Sequence, residues 1–428
     1  MGKAKRYGIF IIFMIIASAL SAAALYHYNH ISIKKQCFRF NYGSKLPNTS
    51  DAYFTYSSKY DDVSFDEKLF DLSAVGSYEV IVNFADKDYT LHIEIVDEKA
   101  PTITFLNDHA LIYRYEDTLL GNFYQIEDIS TVKSEIHLES KKNGKQKVCV
   151  SAVDAYGNKG EQCKSLTVEI QDLKLADIPE VNSVKELVEA FIQENGLNAD
   201  SFAFFYESPS NQESYLYNEK RVITAASIIK VPLNMIYEDA YINQTMRPSQ
   251  TIRLTLNDIE EGDGYTSQNK LNSALSYAYL QEQSIVYSDN TATNMLVRGL
   301  GGFAAFRRLL AEYTDLSLPE TFYSQNIITA EYMKDVMKKL YDEQGRYHTL
   351  ISYMKQAAKD NFLQASSDIF EIAQKYGLHD NVLHTVGIVY TPQPYIVGIF
   401  TMNRADGEAI IAKLNEWLIA YQFQKYGL

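Results

Sequence analysis

Three short strings limit what this chain can fold into more tightly than any bulk property: Ser227-Ile228-Ile229-Lys230, Ser288-Asp289-Asn290 and Lys375-Tyr376-Gly377, in that order. A Ser three residues ahead of a Lys at the start of a helix sets hydroxyl and amine on one face, one turn apart. There a neutral amine can take the hydroxyl proton and turn a weak nucleophile into a strong one. The other two strings act with the first only if the fold brings all three to one cleft. Serine acyl-transfer chemistry is the resulting expectation.

The pattern around the strings predicts such a fold. Ser183 precedes a helical pattern with Val184, Leu187, Val188, Phe191 and Ile192 on one face. Strand-like runs follow at 202–206 and 215–217, then a mostly helical stretch from about 225 to 360, punctuated by Gly262, Gly264, Gly299, Gly301 and Gly302. Three strands are expected at about 369–376, 383–391 and 395–402, and a helix from Gly407 to about Phe423. That order makes an α/β sandwich whose sheet is built from both ends of the segment.

Upstream, residues 35–172 read as strands. Runs at 78–84 and 89–96 alternate or are rich in β-branched and aromatic residues, and Asp86-Lys87-Asp88 supplies a turn. A later pair, 147–153 and 166–170, brackets a Gly157-Asn158 turn. The patterns at Val75–Val80, Val96–Pro101 and Val153–Asn158 resemble the small immunoglobulin-like modules of bacterial surface proteins. Two such modules, 35–97 and 98–172, are expected as spacers, with a linker at 173–181. Cys149 and Cys163 flank the second turn, so either a cross-hairpin disulfide or free thiols fit. With Cys37 they are the chain's 3 cysteines, too few for a fold built on disulfides.

The 428 residues exceed what one core supports, so several domains are expected. A net charge of −14 argues against a nucleic-acid partner. No CxxC or C2H2 pattern calls for zinc, and nothing calls for an organic cofactor. At the N-terminus Lys3, Lys5 and Arg6 precede an uncharged apolar run from Tyr7 to about Tyr26. A basic end followed by roughly 20 apolar residues predicts a membrane anchor within residues 1–30, the rest of the chain being extracytoplasmic. Small residues at 21–24 also fit cleavage and secretion.

Each string is weak alone. Ser32-Ile33-Lys34-Lys35 repeats the first spacing beside the apolar run, and residues 424–428 repeat residues 374–378 letter for letter. Context separates the copies: Ser227 heads an apolar helix, Lys375 ends the first closing strand, and Lys425 lies past the last helix. On the stretches AASIIKVPLNMIY, SIVYSDNTATNMLVRGLGG and QKYGLHDNVLHTVGIVYTPQPYIVGIFT, residues 182–428 resemble the class A β-lactamase-like serine hydrolases of the penicillin-recognising superfamily. The whole chain then reads as β-sandwich modules followed by an α/β (α+β sandwich) β-lactamase-like domain.

The resemblance implies roles. Ser227 forms an acyl-enzyme, and Lys230 accepts its proton, its amine held neutral by burial and nearby positive charge. Ser288 passes a proton to the leaving nitrogen, and Asn290 bonds Lys230 and the substrate amide. Lys375, with Tyr376 and Gly377, binds the substrate and its carboxylate. The backbone N–H groups of Ser227 and Leu378 form the oxyanion hole. The implied substrates are β-lactams or the peptidoglycan stem peptide, as in a D-Ala-D-Ala peptidase. The bland reading of Asp289 and Asn290 is helix capping.

Two departures stand out. Tyr376 replaces the family's small Thr or Ser, and a phenol pointing the same way would crowd the pocket. The loop that carries the family's deacylating Glu and, four residues on, an Asn is short here, with Glu320 after Pro319 and Ser324 in the Asn position. Glu320 is the candidate deacylation base, a solvated loop carboxylate the default, and slow hydrolysis of the ester the consequence. The alternative is a catalytically inactive surface binding or adhesion protein of the same fold.

Overall fold

The computed structural model describes residues 30–426 except 45, 48, 58–59, 61–74, 131, 261 and 263, together with Ser18 and Ser21. The expected membrane segment therefore lies outside the described residues, apart from those two serines. Among the described residues no helix is long and apolar enough to cross a membrane.

The chain divides into two compact units, Met1–Glu98 with Ile242–Gln244 and Lys99–Tyr241 with Thr245–Leu428. In the first, β1 (Ile31–Ile33), β2 (Phe38–Asn41), a one-turn α1 (Ser50–Tyr53), β3 (Phe54–Tyr56), β4 (Gly76–Phe84) and β5 (Lys87–Val96) follow in order. β4 and β5 form a hairpin, and β2 adds to β5 in parallel. Alternate residues of the hairpin, Val80, Val82, Phe84, Leu91, Ile93 and Ile95, turn inward onto Phe38, Tyr53 and Phe54.

The second unit begins with β6 (Thr102–Phe105), β7 (His109–Tyr115), β8 (Thr118–Leu120), β9 (Tyr124–Glu127), β10 (Val132–Leu138), β11 (Gly144–Asp154) and β12 (Lys159–Asp172). They form a five-stranded sheet, β10-β11-β12-β7-β8, and a β6–β9 pair around Ile112, Phe123, Val148, Val150, Leu166 and Val168. Asp154 closes the β11–β12 turn: its carboxylate accepts from the N–H groups of Tyr156 and Asn158 at 2.9 and 2.7 Å. Cys149 and Cys163 are direct partners across this hairpin and are joined as a disulfide, which leaves Cys37 as a free, exposed thiol. These strands pack on the rest of their unit, with the Tyr115 ring 4.8 Å from that of Phe423 and Asn122 donating to the Asp368 carbonyl.

The remainder runs α2 (Val184–Glu194), β13 (Phe202–Ser208), β14 (Glu213–Tyr217), β15 (Ile223–Thr224), α3 (Lys230–Ile242), β16 (Thr251–Arg253), β17 (Ala274–Ser276), α4 (Tyr277–Val286), α5 (Asn290–Gly299), α6 (Phe303–Leu310), β18 (Ile327–Ile328), α7 (Ala330–Asp342), α8 (His348–Gln356), β19 (Ile372–His379), β20 (Val382–Val389), β21 (Tyr395–Met402) and α9 (Gly407–Tyr426). The central sheet is antiparallel, ordered β14-β13-β21-β20-β19, so its strands do come from both ends of the segment. Both faces are buried, and the period of two sorts the side chains. Phe202, Phe204, Tyr395, Val397 and Ile399 meet α2 and α9. Ala203, Phe205, Val386, Ile388, Ile396 and Phe400 meet the helical middle of the chain.

Two expectations need correction. β19 continues to His379, so Lys375 sits inside the strand and not at its end. α9 continues to Tyr426, so Lys425 lies within the last helix, where its amine donates to Glu213 at 2.8 Å. The added residues are largely exposed: the β19–β20 ladder runs on to His379 opposite Val382, and Lys425 and the Tyr426 hydroxyl both donate to Glu213.

Candidate active site

Ser227 is presented by a tight turn. Ala226 takes φ +47°, unusual for a residue with a Cβ, and Ala226–Ile229 form a 3-10 turn that runs into α3. In that geometry residues i and i+3 eclipse, so Ser227 and Lys230 share a face. Ser227 is partly exposed, whereas Lys230 is only 3% exposed.

The Lys230 amine donates to three neutral oxygens: the Ser288 carbonyl at 2.6 Å, the Ser288 hydroxyl at 3.2 Å and the Asn290 amide oxygen at 2.8 Å. The first two strings are thus brought together. Ser288 also takes a positive φ, +55°, which turns carbonyl and hydroxyl toward one amine. The capping reading holds for Asp289 alone. Its carboxylate accepts from Ala292 N–H at 2.8 Å at the head of α5, and from Thr266 N–H at 2.8 Å. Asn290, the first residue of α5, turns its side chain to Lys230 instead.

The loop before β17 packs over this junction. A Cβ at Gly264, which has φ +100°, would lie 2.3 Å from Asp289 Oδ2, so only glycine fits. Across the loop Glu260 N–H donates to the Thr291 hydroxyl at 3.1 Å. Tyr265 stands 56% exposed at the rim, its ring 5.3 Å from that of Tyr287 in an edge contact. Sequence reasoning read Gly262 and Gly264 as punctuation only; the Gly-x-Gly spacing was the signal for a close backbone approach.

The third string arrives on β19, an edge strand. A Cβ at Gly377 would lie 2.8 Å from the Ser227 amide nitrogen and 3.0 Å from that of Ile228. The strand therefore runs directly beside the backbone that presents Ser227. Lys375, two residues earlier, starts on the same face and is fully buried. Its amine donates to the Tyr376 carbonyl at 2.9 Å and lies 4.1 Å from the centroid of the Tyr376 ring. The phenol does not crowd the turn at Ser227. Alternation points it the other way, and it stacks on Phe362 at 4.7 Å and 16°. Leu378 is 63% exposed at the edge. Glu320 opens a one-turn helix, Glu320–Tyr323, with its carboxylate exposed and, among the described residues, without a hydrogen bond or ion pair.

Set against known proteins, residues 183–422 match a family model described as the beta-lactamase enzyme family. The chain belongs to that family. Among solved structures, PBP-A aligns with a TM-score of 0.51 at 20% identity, over 58% of this chain and 100% of that one. A mutant of PBP-A, solved as an acyl-enzyme complex with penicillin G, aligns with a TM-score of 0.51 at 21% identity over the same shares, 58% and 100%. A beta-lactamase from Sphaerobacter thermophilus gives 0.48 at 21% identity, over 56% of this chain and 97% of that one. No curated protein matches the chain. At these identities the likeness to PBP-A shows the fold of the C-terminal part.

Proposed function

We propose that the protein is an extracytoplasmic, membrane-anchored serine hydrolase that forms an acyl-enzyme on Ser227 with β-lactams or cell-wall peptide amides. The observation that carries this reading is the Lys230 amine, buried one turn from Ser227 and held by the Ser288 and Asn290 oxygens. In the proposed reaction Lys230 first gives up one of the three protons it shares with these oxygens to solvent. The resulting neutral amine takes the Ser227 Oγ proton as Oγ attacks the substrate carbonyl carbon. The N–H groups of Ser227 and Leu378 take the developing oxyanion charge. The C–N bond then breaks, and the leaving nitrogen receives its proton through the Ser288 hydroxyl. Asn290 orients Lys230, and Lys375 draws an anionic substrate to the β19 edge.

Deacylation is slow in this reading, because Glu320 is exposed and engages none of these groups. Anchoring rests on Lys3, Lys5 and Arg6 ahead of the apolar run from Tyr7. The small β units at 35–97 and 98–172 are read as immunoglobulin-like modules on their sequence patterns and hairpins.

Incubation with fluorescent penicillin tests the reading. A stable covalent label on the parent protein, absent from Ser227→Ala, is expected, with a low nitrocefin turnover on the same sample. A folded parent protein that takes no label refutes acylation and favours the binding or adhesion role.

A further inference from the structure

Arg307 on α6 is completely buried, and among the described residues its guanidinium meets no carboxylate. Nε donates to the Phe322 carbonyl at 2.5 Å and Nη2 to the Ile327 carbonyl at 2.8 Å. The guanidinium lies 3.9 Å from the Phe322 ring centroid, and Nη1 has no hydrogen-bond partner. A cation buried without a counter-ion is costly, and these two charge-assisted bonds offset only part of that cost. Burial also pulls the Arg307 pKa down to about 10.

The two carbonyls belong to a segment that reaches the nucleophile. Ile327 lies in β18, which pairs with β15 so that Thr224 faces Ile327 and Ile223 faces Ile328. One residue further on, the Ala225 N–H donates to the Asn326 carbonyl at 2.9 Å. From the sheet side, His384 Nε2 lies 3.0 Å from the Thr224 carbonyl. The next two residues are Ala226, in its positive-φ conformation, and Ser227. That conformation persists only if its surroundings hold it.

We infer that Arg307 is a positioning residue for Ser227: by bridging the Phe322 and Ile327 carbonyls it fixes β18, and through the β18–β15 ladder it fixes the backbone that presents the hydroxyl. The inference rests on the reading of Ser227 as nucleophile. Arg307 touches no substrate and acts through the register of two short strands.

The test is the time course of fluorescent-penicillin labelling of the full chain, with Arg307→Met, Arg307→Lys and a control, Val188→Ala. Val188 lies in the core on the other face of the sheet. At a temperature where circular dichroism shows every protein fully folded, both Arg307 variants are expected to lose about ten- to a hundredfold in the saturating acylation rate. Their half-saturating concentration should stay within about threefold, as expected when orientation and not binding is lost. Lys keeps the charge but not the two-carbonyl fork, so it should fail as Met does. Val188→Ala, with a comparable loss of melting temperature, should label at the parent rate. Parent-like rates in the Arg307 variants, or an equal slowing in Val188→Ala, overturn the inference. Should neither Arg307 variant fold, Phe322→Leu removes the ring beneath the guanidinium and keeps the carbonyls. A slowed acylation rate is expected there too, and an unchanged rate has the same overturning force. A parent protein that takes no label refutes the reading of Ser227 itself, and the inference falls with it.

Discussion

At the scale of single residues, the site is governed by close approach. Gly377 is the clearest case, since the missing side chain is what lets β19 lie against the Ser227 and Ile228 amides. Gly377→Ala places a methyl carbon 2.8 Å from the Ser227 nitrogen, and both neighbours are backbone, which cannot swing aside. Either the strand or the turn must shift. A displacement of some tenths of an ångström at an oxyanion donor is expected to lower the acylation rate about a hundredfold. Stability should fall by only about 1–3 kcal/mol, as for an overpacked core position. Labelling kinetics beside a urea melt check both, and parent-like labelling would mean that β19 does not supply the second oxyanion donor. Tyr376 teaches the opposite lesson. Its identity was legible as a departure from the family pattern, but its direction was not. Strand alternation and the partner Phe362, from the loop that leads into β19, decide where the phenol goes.

Between elements, α3 and α4 are joined by a buried polar stripe that shows in the sequence only as a spacing. Lys230, Asn234 and Glu238 recur every fourth residue on a helix whose other buried positions are apolar; the partners on α4 could not be read. Asn234 Nδ2 donates to the Lys230 carbonyl at 2.7 Å, and Gln281 Nε2 to Glu238 at 3.1 Å. The Tyr241 hydroxyl completes the group, donating to Gln281 Oε1 at 2.6 Å. Burial raises Glu238 to about 8, the Gln281 bond pulling it down and nearby Asp239 pushing it up. A carboxyl with its folded pKa raised binds more protons folded than unfolded between the two values. Its contribution is therefore complete below the unfolded value of 4.5 and is lost as pH rises through 8. The loss is on the order of 5 kcal/mol between these limits. Glu238→Gln, neutral at every pH, should match the parent near pH 5 and exceed it in melting temperature at pH 9. Parallel curves across that range would show that Glu238 does not titrate in the fold. The helices and strands themselves were legible because periodicity and burial agree there. Their ends were missed at His379 and Tyr426, where pairing with Val382 and bonds to Glu213, and not local propensity, extend the elements.

For the molecule as a whole, the order of elements was the most legible feature. A sheet buried on both faces needs long apolar strands, and helices on both sides of it need amphipathic stretches before and after; both leave marks in a sequence. Less legible were the groups that tie that sheet to the site, because each is a single polar residue among apolar neighbours. His384 is one. It faces Gly377 across the β19–β20 ladder, and its Nε2 lies 3.0 Å from the Thr224 carbonyl, an acceptor, so that nitrogen carries a proton. Burial pushes its pKa down to about 4. Its protonation therefore opposes Glu238 in sign: between about 6.5 and 4 the unfolded chain binds the proton and the folded chain does not. Stability falls as pH drops through that window, by about 3 kcal/mol from this one ring, while Glu238 erodes it from the alkaline side. His384→Gln keeps a donor near the position of Nε2 but cannot titrate. The stability difference between parent and variant should be flat above pH 6.5 and swing toward the variant by about 3 kcal/mol on descending to pH 4. Urea denaturation at pH steps across this window measures it. A constant difference would place the proton uptake elsewhere.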